Sequence, residues 1–134
     1  MEYKKITPNL IVKDVSASLA FYEEVLGLPR AILVPDISPF VFASVTAGGI
    51  EIFFNQQENV ASEASEFSKE LASRPIGGSF TMFIEVEGIE EILARVKKHG
   101  ARIVMPLQEM FYGMKEFAFL DPDGYIISIA EKIG

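Results

Sequence analysis

The stretch IVKDVSASLAFYEEVLGL, residues 11–28, is an apolar run closed by an acid and followed at once by a helical pattern. The same order returns at IEVEGIEEILARVKKHG, residues 84–100. In the first copy Val15, Leu19, Tyr22 and Leu26 fall on one helical stripe, Asp14 or Ser16 can cap it, and Gly27 ends it. In the second copy Ile89, Ile92, Leu93 and Val96 share a face, and Gly100 closes the helix. Working outward, KKITPNLIVK at 4–13 alternates as a strand. RAILVP (30–35), PFVFASVTAG (39–48) and IEIFFN (50–55) read as three more, with Gly48 and Gly49 marking a hairpin. The second copy is likewise framed by SFTMFIEVEG (79–88), ARIVMP (101–106), GMKEFAFLD (113–121) and YIISIAE (125–131).

The expected fold is therefore α+β: two βαβββ modules whose sheets form a curved mixed sheet that encloses a cleft. Module one covers about 4–55 and module two about 79–131 within one domain of 134 residues. Residues 56–78 are polar, carry a short helical pattern near 63–72 and end in Pro-Ile-Gly-Gly, so they read as a connector.

Composition narrows the partners. Net charge is −7, which argues against nucleic acid, because phosphate neutralisation needs clustered Lys and Arg. The same sign mildly favours a cationic ligand. There are no cysteines, so disulfides and thiolate metal sites are excluded and a cytoplasmic location is expected. No signal core and no membrane-spanning apolar run are read in the chain.

The segments PNLIVKDVSASLAFYEEVLGL, EEILARVKKHGARIVMP and YGMKEFAFLDPDGY, with the last strand, resemble the vicinal oxygen chelate superfamily. That superfamily includes glyoxalase I, extradiol dioxygenases and bleomycin resistance proteins. The resemblance implies the glyoxalase/bleomycin resistance fold. It also implies four positions, on four strands, from which metal-using members hold one divalent ion. Carried over, these fall on Thr7, Glu51, Thr81 and Ser128. Only Glu51 is a good metal ligand, since neutral hydroxyls bind Zn²⁺, Ni²⁺ or Fe²⁺ poorly. A slip of one residue offers Pro8, Asn9, Met82 or Ile127, which does not help. Members of this appearance resemble the bleomycin-resistance type, which sequesters a compound without chemistry, in a pocket assembled across a homodimer.

The expected ligand-binding residues are Thr7, Asn9, Glu51, Phe53, Thr81, Phe83, Tyr112 and Ser128, with no catalytic residue, no metal ligand and no cofactor. The expected ligand is a small cationic or aromatic molecule. The bland alternative for Thr7, Asn9 and Thr81 is polar side chains on the open face of a sheet. Glu51 can also simply pair with a Lys or Arg. Of Phe40, Phe42, Phe53, Phe54, Phe83, Phe117 and Phe119, all read on strands, most are expected in the core and a minority free to stack on a ligand. Phe111–Met114 reads as a loop over the pocket or as a turn with a packed aromatic. His99 reads as a cation at a helix C-terminus, and Asp121 and Asp123 as turn residues. The alternative function is a divalent-metal lyase, isomerase or dioxygenase, which would need Glu51 with Glu85 or Glu131. Strand alternation points Glu131 away from the face of Ser128. A scaffold without a ligand is the third reading.

Overall fold

Asp14 starts the first helix as the sequence suggests: its side chain accepts the Ser16 N–H at 3.0 Å, and Gly27 ends the helix in the left-handed conformation. A computed structural model describes residues 1–134, which divide into two compact units, Met1–Arg74 and Pro75–Gly134. In the first unit the order is β1 (Asn9–Val12), α1 (Val15–Leu26), β2 (Arg30–Val34), β3 (Phe42–Ala47), β4 (Ile50–Gln56), α2 (Gln57–Ser62) and α3 (Glu66–Ala72). The second has β5 (Thr81–Glu85), α4 (Ile89–His99), β6 (Ile103–Glu109), β7 (Met114–Leu120) and β8 (Ile126–Lys132). Each unit holds one four-stranded mixed sheet, ordered β1-β4-β3-β2 and β5-β8-β7-β6. The fold is α+β, built from two βαβββ modules. In each, the first and last strands pair in parallel and the others run antiparallel.

One face of each sheet packs on its helix. In the first unit Leu10, Val12, Val45, Ile52 and Phe54 meet Val15, Leu19, Tyr22 and Val25 of α1, all buried. Tyr22 lies against Phe54, with ring centroids 4.9 Å apart. In the second, Phe117, Phe119, Ile127 and Ile129 form the inner face beneath Ile89 and Val96. Such a side chain contributes roughly 1.5–3 kcal/mol when fully buried.

The junctions of strand and helix are tied in the same way twice. Gln56, at the end of β4, accepts from the Val15 N–H at 2.9 Å and donates to the Lys13 carbonyl at 2.6 Å. Glu131, near the end of β8, accepts from the Gly88 and Ile89 N–H groups, each at 3.1 Å. These bonds satisfy first-turn donors that the helix itself leaves open. They also hold the Glu131 carboxyl below the ordinary carboxylate range, chiefly through Ile89 and then Gly88.

Several boundaries differ from expectation. β1 begins at Asn9 rather than near residue 4, because Pro8 has no N–H to donate; its carbonyl accepts the Phe53 N–H at 2.9 Å, and strand structure goes no further back. Thr7 therefore precedes the strand instead of sharing its face with Asn9. Phe40 lies in the segment before β3, not on a strand, although it is buried as expected. The connector forms two short helices rather than one, the second capped by Ser65 on the Ser68 N–H at 3.1 Å. β6 runs to Glu109 through Pro106, and its register on β7 slips between Met105 and Gln108. A strand interrupted by proline tolerates that only at an edge or a bulge, and β6 is both.

Candidate functional site

The sheet faces turned away from α1 and α4 carry the residues of interest, and each unit presents its own. In the first unit Asn9 pairs with Phe53 and Ile11 with Asn55 across β1 and β4, while Ser44 pairs with Phe53 and Thr46 with Glu51 across β3 and β4. Partners across a pleated sheet share a face, so Asn9, Glu51, Phe53 and Asn55 stand together with Phe42 and Ser44. Asn55 donates its amide to the Asn9 side chain at 2.6 Å and to the Leu10 carbonyl at 3.1 Å. Phe42 meets Phe53 edge to face at 5.2 Å. Glu51 is mostly covered, and its carboxylate is taken by the Lys5 ammonium, which reaches it from the segment before β1.

In the second unit Ser128 sits at the centre of the sheet. It pairs with Phe83 on β5 and with Ala118 on β7. Thr81 is opposite Ile126, two pairs along and so on the same face. Phe83 is 57% exposed, a large aromatic surface lying open. Glu116 is on the same face, paired with Ala130 beside the Ala118–Ser128 pair, and is only 4% exposed. The hairpin between β6 and β7 turns Tyr112 back so that its hydroxyl donates to the Glu116 carboxylate. That bond, first among several causes, raises the Tyr112 phenol above its ordinary range, so it stays a donor at neutral pH. Phe111, next to it, is fully exposed and touches Tyr112 edge to face at 5.1 Å.

The structure thus brings together Asn9, Glu51 and Phe53 on one face, and Thr81, Phe83, Ser128 and Tyr112 on or over the other. Thr7 stands outside the strands. Glu116 is the residue that the sequence analysis missed. The signal was present: in MKEFAFL, Phe117 and Phe119 alternate inward, so Glu116 and Ala118 must face outward, and the hairpin register then sets them beside Ser128.

The four positions of the chelate pattern do not fit a divalent ion. Three offer hydroxyls, and the fourth, Glu51, is already paired with a cation. No group of three or more His, Cys, Asp or Glu side chains is placed to hold a metal. Glu131 is committed to the start of α4, and Glu85 faces Lys132 at 3.7 Å. His99 is the last residue of α4.

Comparisons with known proteins agree with this architecture. Residues 6–129 match the Glyoxalase/Bleomycin resistance protein/Dioxygenase superfamily. A virulence protein of Salmonella typhimurium is 30% identical over 128 residues, covering 92% of this chain and 81% of its own. A bleomycin resistance protein of Geobacillus stearothermophilus is 28% identical over 130 residues, 94% of this chain and 95% of its own. Among solved structures, a glyoxalase/bleomycin resistance protein/dioxygenase family enzyme of Burkholderia phytofirmans superposes with a TM-score of 0.76 at 22% identity, over 95% of this chain and 97% of that one. With the repeated module, the parallel pairing of first and last strands and the sequence match over nearly the whole length, this chain belongs to the Glyoxalase/Bleomycin resistance protein/Dioxygenase superfamily.

Proposed function

We propose that this protein binds a small cationic or aromatic molecule on its open sheet faces and holds it without a metal ion and without converting it. The observation that carries the reading is the make-up of the four family positions. Thr7, Thr81 and Ser128 offer no strong ligand, and Glu51 is neutralised by Lys5. What remains on the faces suits binding: the Phe42–Phe53 pair, the Asn9–Asn55 amides, the exposed Phe83 and the Tyr112 hydroxyl. The net charge of −7 favours a cation. The relatives named for bleomycin resistance support a sequestering role.

The reading includes a homodimer in the cytoplasm. Strands β2 and β6 are sheet edges and expose Ile32, Val34 and Val104, which a second copy would cover. Light scattering on the eluted protein tests this; a monomer at working concentration removes the dimer from the proposal.

Binding is tested by thermal unfolding of the metal-stripped protein with bleomycin, a large cationic compound, and separately with Mn²⁺, Fe²⁺, Ni²⁺ and Zn²⁺. A ligand at 100 times its dissociation constant adds about 2.7 kcal/mol, a rise of roughly 10 °C for a domain of this size. Stabilisation by bleomycin and by none of the ions is the expected result. Stabilisation by an ion that Glu51→Gln abolishes would instead establish the divalent-metal lyase, isomerase or dioxygenase reading.

A further inference from the structure

Glu116 has features that the rest of the open faces lack. It is nearly buried, yet no cation pairs with it, and its hydrogen-bond partner is the neutral Tyr112 hydroxyl. A carboxylate has room for about four donors, and one phenol compensates its removal from water poorly. The two acids on β5 and β8 are engaged. Glu85 has Lys132, and Glu131 has the Gly88 and Ile89 N–H groups. Glu116 does not help to start a helix, it faces away from the α4 core, and its one bond reaches the β6–β7 hairpin. Beside it the sheet is floored by Ala118, Ser128 and Ala130, all small. On the far side of Ser128 stands the exposed ring of Phe83.

We propose that Glu116 is the recognition carboxylate for a protonated amine or guanidinium, gated by Tyr112, with the apolar or planar body of the same ligand resting across Ser128 on Phe83. This rests on the binding function proposed above and names its site and ligand class. The Glu116 and Phe83 strands lie on either side of β8, and neighbouring strands are about 4.8 Å apart. Glu116 pairs with Ala130 and Phe83 with Ser128, two residues along β8, so the ligand's charge and its apolar body are separated by about 12 Å. Between the two, Ser128 is part exposed while Ala118 and Ala130 are buried, so the ligand crosses the sheet over Ser128. As the cation arrives, the Tyr112 hydroxyl gives up the carboxylate and its ring is left beside the charge, where the ring quadrupole attracts it. The loss of a carboxylate at the family position Ser128 is thus matched by a carboxylate one strand away, suited to an organic cation rather than a metal.

The test uses three probes of one shape: phenylpentylamine, phenylpentanol and phenylpentanoate. Each is titrated into the whole protein while the methyl resonances of Ala118 and Ala130 are followed. The amine is expected to move both methyls and to bind about tenfold or more tighter than the alcohol, because only the amine brings a full positive charge beside the carboxylate. The acid should not bind. Glu116→Gln should remove the preference for the amine, since the side-chain amide offers the ammonium no opposite charge. Tyr112→Phe should strengthen amine binding severalfold, because the competing donor is gone while the ring remains. Phe83→Ala, at an exposed position where folding is not at risk, should weaken amine and alcohol alike. Equal binding of amine and alcohol, or amine binding untouched by Glu116→Gln, overturns the proposal. So do methyls that stay fixed at every amine concentration. If bleomycin stabilises the wild-type protein and Glu116→Gln equally, this site falls while the general binding function stands. If neither bleomycin nor the amine binds the wild type, both fall.

Discussion

Asp121 opens the DPDG turn that delivers β8 and its central Ser128, and its replacement gives a quantitative test of the second sheet's construction. The residue is 5% exposed. Its Oδ1 accepts the backbone N–H groups of Asp123 and Tyr125, both at 2.9 Å. The turn is closed further by Gly124 N–H to the Asp121 carbonyl at 3.1 Å and Asp121 N–H to the Tyr125 carbonyl at 3.0 Å. Asp121→Ala orphans two donors. An unsatisfied buried donor costs about 1–3 kcal/mol. The Tyr125 N–H is buried and lies at the upper end; the half-buried Asp123 N–H can find water and adds little. The expected loss is about 3 kcal/mol, a large part of the stability of a domain this size. At roughly 3–4 °C per kcal/mol, thermal unfolding followed by circular dichroism should fall by about 10 °C. Asp121→Asn keeps an acceptor oxygen and should lose only about 1 kcal/mol. An alanine variant that unfolds within a degree or two of wild type, or an asparagine variant as damaged as the alanine one, would refute the reasoning.

Further outcomes follow from the same contacts. Gly77 has φ +87°, and a Cβ there would come within 3.0 Å of the Asp123 carbonyl, so Gly77→Ala should destabilise the protein in urea titration by more than an ordinary surface substitution. Glu131 is held below the ordinary carboxylate range by the Ile89 and Gly88 N–H groups, and Glu90 is lowered chiefly by its bond to Lys115. Folded values below the unfolded ones give stability that is present above the unfolded value and lost as pH falls through the folded one. Acid unfolding should therefore be shallower in Glu131→Gln, which keeps an acceptor but does not titrate. Tyr112 is raised, so its contribution is present below the ordinary tyrosine range and lost as pH rises through the folded value. Alkaline titration by ultraviolet absorbance should show one phenol moving to lower pH in Glu116→Gln.

Much of this was legible in the chain because periodicity and caps are local. Val15, Leu19 and Tyr22 recur at helical spacing and are buried, Asp14 caps where a short acid should, and Gly27 and Gly100 end their helices in the left-handed conformation. What was not legible depended on pairing. The alternation of KKITPNLIVK continues through Pro8, but the ladder does not, because a strand needs donors on the side where its partner lies. β6 reached past Pro106 because a bulge absorbs a residue that local pattern treats as a stop. Glu116 looks like a solvated charge in MKEFAFL; only the register of β7 on β8 sets it beside Ser128, and only the hairpin brings Tyr112 to it. Glu51 read as the one surviving ligand, but its pairing with Lys5, 46 positions earlier, is a long-range fact.

The central claim is that the family's four chelating positions no longer chelate. Equilibrium dialysis of the metal-stripped chain against Zn²⁺, Ni²⁺, Mn²⁺ and Fe²⁺, with bound metal counted by elemental analysis, tests it most directly. The expected result is well below one ion per chain for every metal, unchanged by Glu51→Gln. One tightly held ion per chain, released by Glu51→Gln, would contradict the account.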